Sequence, residues 1–223
     1  MVAKSVFDFL TDLKSNNNRE WFADNKQAFT IAEQSVKAFF GSVSEELQKH
    51  DSTDKMQVFR IYRDIRFSKD KTPYKKFFSA WFARTKPFLR GSYYLHIEPG
   101  ATFVEGGFWE PNAENLLRIR KEFELNDSEI RAIISTEEFK YYFGTLDGDE
   151  LKTAPRDFDK THPAIDLIRK KQFLITRHFS DKEVLHKNFS AEVIKTFVAM
   201  RPFFDYMSDV LTTNLNGESS IDK

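Results

Sequence analysis

The densest run of chemically capable side chains lies at residues 59–75, Phe-Arg-Ile-Tyr-Arg-Asp-Ile-Arg-Phe-Ser-Lys-Asp-Lys-Thr-Pro-Tyr-Lys. If this segment is extended, Arg60 and Arg66 project from the same face as Tyr62 and Asp64. Forked guanidiniums at that spacing can grip a phosphate or carboxylate with paired hydrogen bonds. The turn at 68–73 adds backbone N–H groups, two hydroxyls, Lys69 and Lys71. With Arg63 and Lys75 included, the candidate ligand set is Arg60, Tyr62, Arg63, Arg66, Lys69, Lys71 and Lys75. Each charge-assisted hydrogen bond contributes on the order of 1.5–3 kcal/mol, so three or four could hold a small anion.

Arg63 falls by alternation on the apolar face beside Ile61 and Ile65, where a guanidinium is costly unless paired. The same residues could instead form an internal ion-pair network, with Asp64 between arginines. Proton carriers, if the site does chemistry, are Asp64 and His96, with Tyr62 orienting. A carboxylate flanked by arginines is acidic and a poor base. His96 and Glu98 share a strand face with Tyr94, a spacing that lets a histidine and a carboxylate converge. A histidine hydrogen-bonded to its neighbour explains that pattern better than a metal ligand does. The chain has no cysteine, and none of its five histidines pairs at i, i+4. Neither a metal nor a cofactor is therefore expected.

The elements that must position these residues follow from periodicity. Asn17 with Glu20 resembles a capping box, and Trp21, Phe22, Phe29, Ala32, Val36, Phe39, Phe40, Val43 and Leu47 recur at helical spacing. From Met56 the period becomes two, which predicts a strand to Phe67 with Phe59, Ile61, Ile65 and Phe67 inward. Further strands are predicted at 77–83, 92–98, 102–109 and 172–179, and their short early connections imply antiparallel neighbours. Helices are predicted from Pro111 to about Phe123, from Asn126, from Ser135, from Pro163 to Lys170, from Ser180, and over 191–211 with a kink or split at Pro202. The fold class expected is α+β: an antiparallel sheet of about five strands, roughly 56–110 plus 172–179, flanked by N-terminal, middle and C-terminal helices. No repeat or linker divides the chain, so residues 1–213 read as a single domain and 214–223 as a frayed tail.

The formal charge is zero, with 34 basic and 34 acidic side chains, yet residues 55–90 hold eleven cations against Asp64 and Asp70. That segment is +9 and the remainder −9, an asymmetry able to focus a positive potential. No signal-like apolar segment opens the chain and no window approaches a membrane span, so the expected address is the cytoplasm. Walker, dinucleotide-binding and nucleophile-elbow signatures are missing. The twenty-four phenylalanines sit mostly at core periodicity, so packing explains them before base stacking does.

Residues 59–75 resemble the signature of a bacterial family with fungal members, domain of unknown function 2461. The resemblance runs from Phe9 to about Leu211 and includes Asn17-Asn18-Arg19-Glu20-Trp21-Phe22, Tyr94-Leu95-His96-Ile97-Glu98-Pro99-Gly100, Pro155-Arg156-Asp157-Phe158-Asp159, His162-Pro163 and Ala199-Met200-Arg201-Pro202. It loosens after Lys75, over 76–80, and it implies no particular activity. The leading expectation is a domain that binds an anionic, phosphate-bearing small molecule at the basic cluster, with catalysis left open. The alternatives are a nucleic-acid-binding module using the same segment, and a protein-interaction domain whose ion pairs are purely structural. Steep salt dependence would mark the nucleic-acid binder.

Overall fold

The computed structural model describes residues 1–221. In chain order the elements are α1 (Lys4–Ser15), α2 (Arg19–Asp24), α3 (Lys26–Leu47), β1 (Thr53–Val58), β2 (Phe78–Arg84), β3 (Ser92–Ile97), β4 (Thr102–Phe108), α4 (Ala113–Leu125), α5 (Ser128–Ser135), α6 (Glu137–Phe143), α7 (Ile165–Ile168), β5 (Phe173–Phe179), α8 (Asp181–Val184), α9 (Phe189–Ala199) and α10 (Arg201–Thr212). The strands form one antiparallel sheet in the order β1-β2-β3-β4-β5, and the fold is α+β. No helix among the described residues is long and apolar enough to cross a membrane.

The chain divides into two compact units. The first comprises Met1–Phe82, Tyr94–Val104 and His178–Lys195, and the second Ala83–Tyr93, Glu105–Arg177 and the residues from Thr196 onward. The eleven cations of 55–90 therefore fall eight to the first unit and three, Arg84, Lys86 and Arg90, to the second.

In the first unit, α1 buries Val6, Phe7, Phe9, Leu10 and Leu13, and α3 buries Phe29, Ala32, Val36, Phe39, Phe40, Val43 and Leu47. Both sets follow the spacing of one helical stripe. Phe9 sits 5.8 Å from Phe29 and 6.3 Å from Phe78, so the stripes meet a face of β2 in an aromatic core. Asn18 caps α2 by accepting the Trp21 N–H at 2.9 Å, one residue later than the box expected at Asn17. The capping box at Ser180 and Glu183 is present. The sheet edge β1 is short, and Asp54, Lys55, Met56 and Gln57 are all exposed.

In the second unit, Tyr93 packs on Phe197 and Phe204 at 4.7 and 4.9 Å, and Phe123 stands edge-on to Phe173 at 5.8 Å. Gly107, with φ +142°, lets β4 approach β5 so closely that a Cβ would collide with the Phe173 carbonyl. The split expected at Pro202 falls at Met200, which caps α10, while Pro202 occupies the first turn where its missing N–H costs nothing. Thr213 bridges Ser219 across the turn where the sequence predicts fraying, and Asp222 and Lys223 lie outside the described residues.

One expected strand is corrected. The strand predicted over 56–67 ends at Val58, and 59–77 is an irregular ribbon. Of the four residues assigned to its inner face, Ile61 alone is buried, and Phe67 is 96% exposed. The alternation is real in the sequence, but side chains compete there for the backbone partners a ladder would use.

Candidate functional site

The ribbon at 59–77 is built by long-range clamps. Phe59 N–H donates to the Ser79 carbonyl at 3.0 Å, Lys75 N–H to Ile61 at 2.7 Å, and Arg63 N–H to Pro73 at 2.9 Å. Asn17 closes the structure from 57 residues away. Its side-chain amide donates to the Tyr74 carbonyl at 2.9 Å and accepts the Tyr74 N–H at 3.1 Å, acting as a missing strand neighbour. Phe22 stacks on the Tyr74 ring at 3.9 Å. Tyr62 leans edge-on against both rings, and its hydroxyl accepts from Lys26 at 3.4 Å.

Arg63 is the hub of the ribbon. Its guanidinium donates to Asp70 at 2.6 Å, to the Thr72 carbonyl at 3.0 Å, to the Thr72 hydroxyl, and to Ser68 at 3.3 Å. Thr72 returns its N–H and hydroxyl to Asp70 at 2.9 and 3.0 Å. These Thr72 donors first, and Arg63 after them, hold the Asp70 carboxyl down at about 2. The pairing that Arg63 demands is thus met locally, within nine residues.

Arg63, Asp70, Thr72, Tyr74, Lys75, Lys76, Phe77 and Glu98 line a cleft of about 370 Å³. Lys75 differs from Arg63. Its ammonium lies over the Phe59 and Phe77 rings at 5.3 and 5.6 Å, and it has no hydrogen-bond or ion-pair partner among the described residues. Burial first, and Arg60 second, push its pKa below the ordinary lysine value.

His96 borders the cleft through Phe77, whose ring is 4.1 Å from the imidazole, and through Glu98. The strand alternation of β3 sends Tyr94, His96 and Glu98 to one face, as the spacing predicts. His96 Nε2 is 3.0 Å from the Glu98 carboxylate, which can only accept, so Nε2 carries the proton. Nδ1 then faces the Tyr94 hydroxyl at 3.4 Å as a lone pair. Burial lowers the His96 pKa more than Glu98 raises it, with Lys75 adding to the lowering. The imidazole is therefore neutral at pH 7.

The remaining sequence candidates disperse. Arg66 turns onto Asp64 at 2.6 Å, an exposed pair in which the arginine lowers the carboxyl and makes Asp64 a poor base. Lys71 donates to the Ile65 carbonyl at 3.0 Å and lines a second depression with Asn17, Asn18, Arg19, Glu20, Ile65 and Pro73. Arg60 and Lys69 are exposed, and only Arg60 is electrostatically coupled to Lys75. Neither Arg66, Lys69, Lys71 nor Tyr62 is among the residues lining the Lys75 cleft. The sequence reading counts the Thr72 hydroxyl within the 68–73 turn but does not single out Lys76, Phe77 or Asp70 as cleft residues. It also took Asn17 for a helix cap, because nothing local shows that its partner is Tyr74.

Fold and site together define an α+β protein whose polar ribbon is clamped beside an antiparallel sheet. The chain belongs to the family DUF2461, described as a conserved hypothetical protein, whose model matches residues 5–206. No curated protein and no solved structure matches it.

Proposed function

We propose that the first unit binds a small anion, phosphate- or carboxylate-bearing, in the cleft beside Lys75. The observation that carries this reading is the Lys75 ammonium: half-buried, repelled by Arg60, and without a carboxylate of its own. An anion there would relieve that repulsion and gain charge-assisted hydrogen bonds. With Arg63 and Lys75, Lys76 makes three cations in the lining, while the two carboxylates there are engaged, Asp70 by Thr72 and Arg63 and Glu98 by His96. A volume of about 370 Å³ suits a metabolite better than a polymer. The cytoplasm is the setting we propose for it, on the cysteine-free, charge-rich composition.

The test is thermal unfolding with phosphate titrated against chloride at matched ionic strength. An anion bound only to the folded state at a hundredfold over its Kd stabilises by about 2.7 kcal/mol, several degrees in Tm. The wild type should show that shift and Lys75→Met should lose it. Lys75→Met should itself unfold within about 0.5 kcal/mol of wild type in chloride, because no partner is stranded. A phosphate shift of equal size in both proteins, or none in the wild type, removes Lys75 from the reading.

A further inference from the structure

We infer that Lys75 is a Schiff-base-forming lysine, whose amine condenses with the carbonyl carbon of an anionic aldehyde or 2-oxo acid. The inference rests on the anion-binding reading and names the class of ligand: the anionic group sits on the cations of the cleft, and the carbonyl meets the amine.

Geometry distinguishes Lys75 from the other lysines of the ribbon. Lys69 and Lys71 are exposed, and the Lys71 ammonium is already donated to the carbonyls of Ile65 and Arg66. Lys75 and Lys76 are both half-buried and line the cleft, but of the two it is Lys75 whose ammonium lies over two aromatic rings, Phe59 and Phe77. Burial first and Arg60 second push its pKa below the ordinary lysine value, while the ring faces act in the other direction by favouring the ammonium. Desolvation and an adjacent cation are the two ways in which a lysine becomes nucleophilic at neutral pH.

The second requirement is a group to move protons, and His96 packs at 4.1 Å against the Phe77 ring over which the Lys75 ammonium lies at 5.6 Å. Its neutral ring is oriented by Glu98 on Nε2, which leaves Nδ1, beside the Tyr94 hydroxyl at 3.4 Å, as the nitrogen that takes a proton and returns it. The amine lone pair adds to the carbonyl carbon, and the π pair moves to oxygen. His96 Nδ1 takes one proton from the nitrogen and gives it to that oxygen, forming the carbinolamine. The nitrogen's second proton passes the same way to the carbinolamine hydroxyl, which leaves as water while the C=N bond forms. One amine and one carbonyl give one imine and one water, with no oxidant, reductant or metal in the balance. In this step His96 is the proton carrier that the β3 spacing marks, and Asp64, tied to Arg66, has no part.

The experiment incubates the full chain with glyoxylate, pyruvate or glycolaldehyde phosphate in the presence of cyanoborohydride, which reduces an imine to a stable secondary amine. Peptide mapping by mass spectrometry then locates the adduct. The expected result is an adduct at Lys75 at least tenfold over that at Lys76, slowed severalfold in His96→Gln. Lys75→Arg keeps the cation without the nucleophile, and should retain a phosphate shift in Tm while giving no adduct. Adducts spread evenly over Lys75, Lys76 and surface lysines, or no Lys75 adduct with any of the three probes, overturn the inference. If the phosphate shift survives that result, the anion-binding reading stands alone. An adduct at Lys75 from neutral acetaldehyde, with no phosphate shift, removes the anion and keeps the nucleophile.

Discussion

Lys75 and Arg84 come from the same basic run of sequence, nine residues apart, and end in opposite circumstances. The Arg84 side chain is 0% exposed and spends its two terminal nitrogens within the second unit: on Asp205, on the Ser208 hydroxyl at 3.2 Å and on the Arg90 carbonyl at 3.2 Å. Ser208 in turn accepts the Arg90 N–H at 2.9 Å and donates to Phe204 at 2.7 Å, so the Arg84 charge is paired and tied into the helix that carries Asp205 and Ser208. In the first unit Arg63 is closed in the same manner by Asp70, Thr72 and Ser68, but Lys75 beside it is not. A buried cation is therefore poor evidence of a site by itself. What marks the ribbon is a cation that meets rings and another cation, while the carboxylates of its cleft, Asp70 and Glu98, are spent on other partners.

That contrast can be broken most directly at its closed end. Arg84→Gln removes three donor contacts and leaves unfilled volume, so it should cost about 3 kcal/mol in denaturant unfolding, with no change in any phosphate response. A loss under about 1 kcal/mol would mean that the Arg84 network is ornamental and the contrast false. Arg63→Gln should cost less, about 1–2 kcal/mol, since its side chain is 24% exposed and water can replace part of what is lost. It should also weaken the phosphate response by loosening the wall of the cleft. An unaltered response would separate the ribbon's architecture from binding.

The smallest effect is a pH limb. The Asp70 carboxyl lies at about 2 in the fold against an ordinary 3.8. Its folded pKa is depressed, so its contribution is fully present above 3.8 and is lost as pH falls toward 2. Asp70→Asn should lack that component of the acid limb, and identical acid limbs for the two proteins would show that the Thr72 and Arg63 contacts do not hold in solution.

How far the sequence displays this follows from where each partner lies. The α3 stripe and strands β2 to β5 are legible because burial imposes a period on consecutive residues. The His96–Glu98 pair is legible because strand geometry alone brings positions two apart together. The ribbon is not. Its alternation at Phe59, Ile61, Ile65 and Phe67 mimics a strand, whereas its conformation is decided by Asn17, 57 residues from Tyr74, and by side chains that displace the ladder. Lys75 is the hardest case. Its significance lies in the acceptor that does not reach it, and no pattern in the chain records a group that fails to arrive.

The exposed strand β1 has a consequence for association. An edge strand is a template onto which another chain can zip, and sheets limit this by keeping edges short and charged. Here the template is six residues long, carries Asp54 and Lys55 in its middle, and is abandoned at Val58 when the chain enters the ribbon. An incoming strand would have to desolvate both charges for a short run of backbone pairing, then meet Arg60 and the ribbon's other cations. The departure from regular pairing that builds the cleft thus also guards the sheet against growing at that edge.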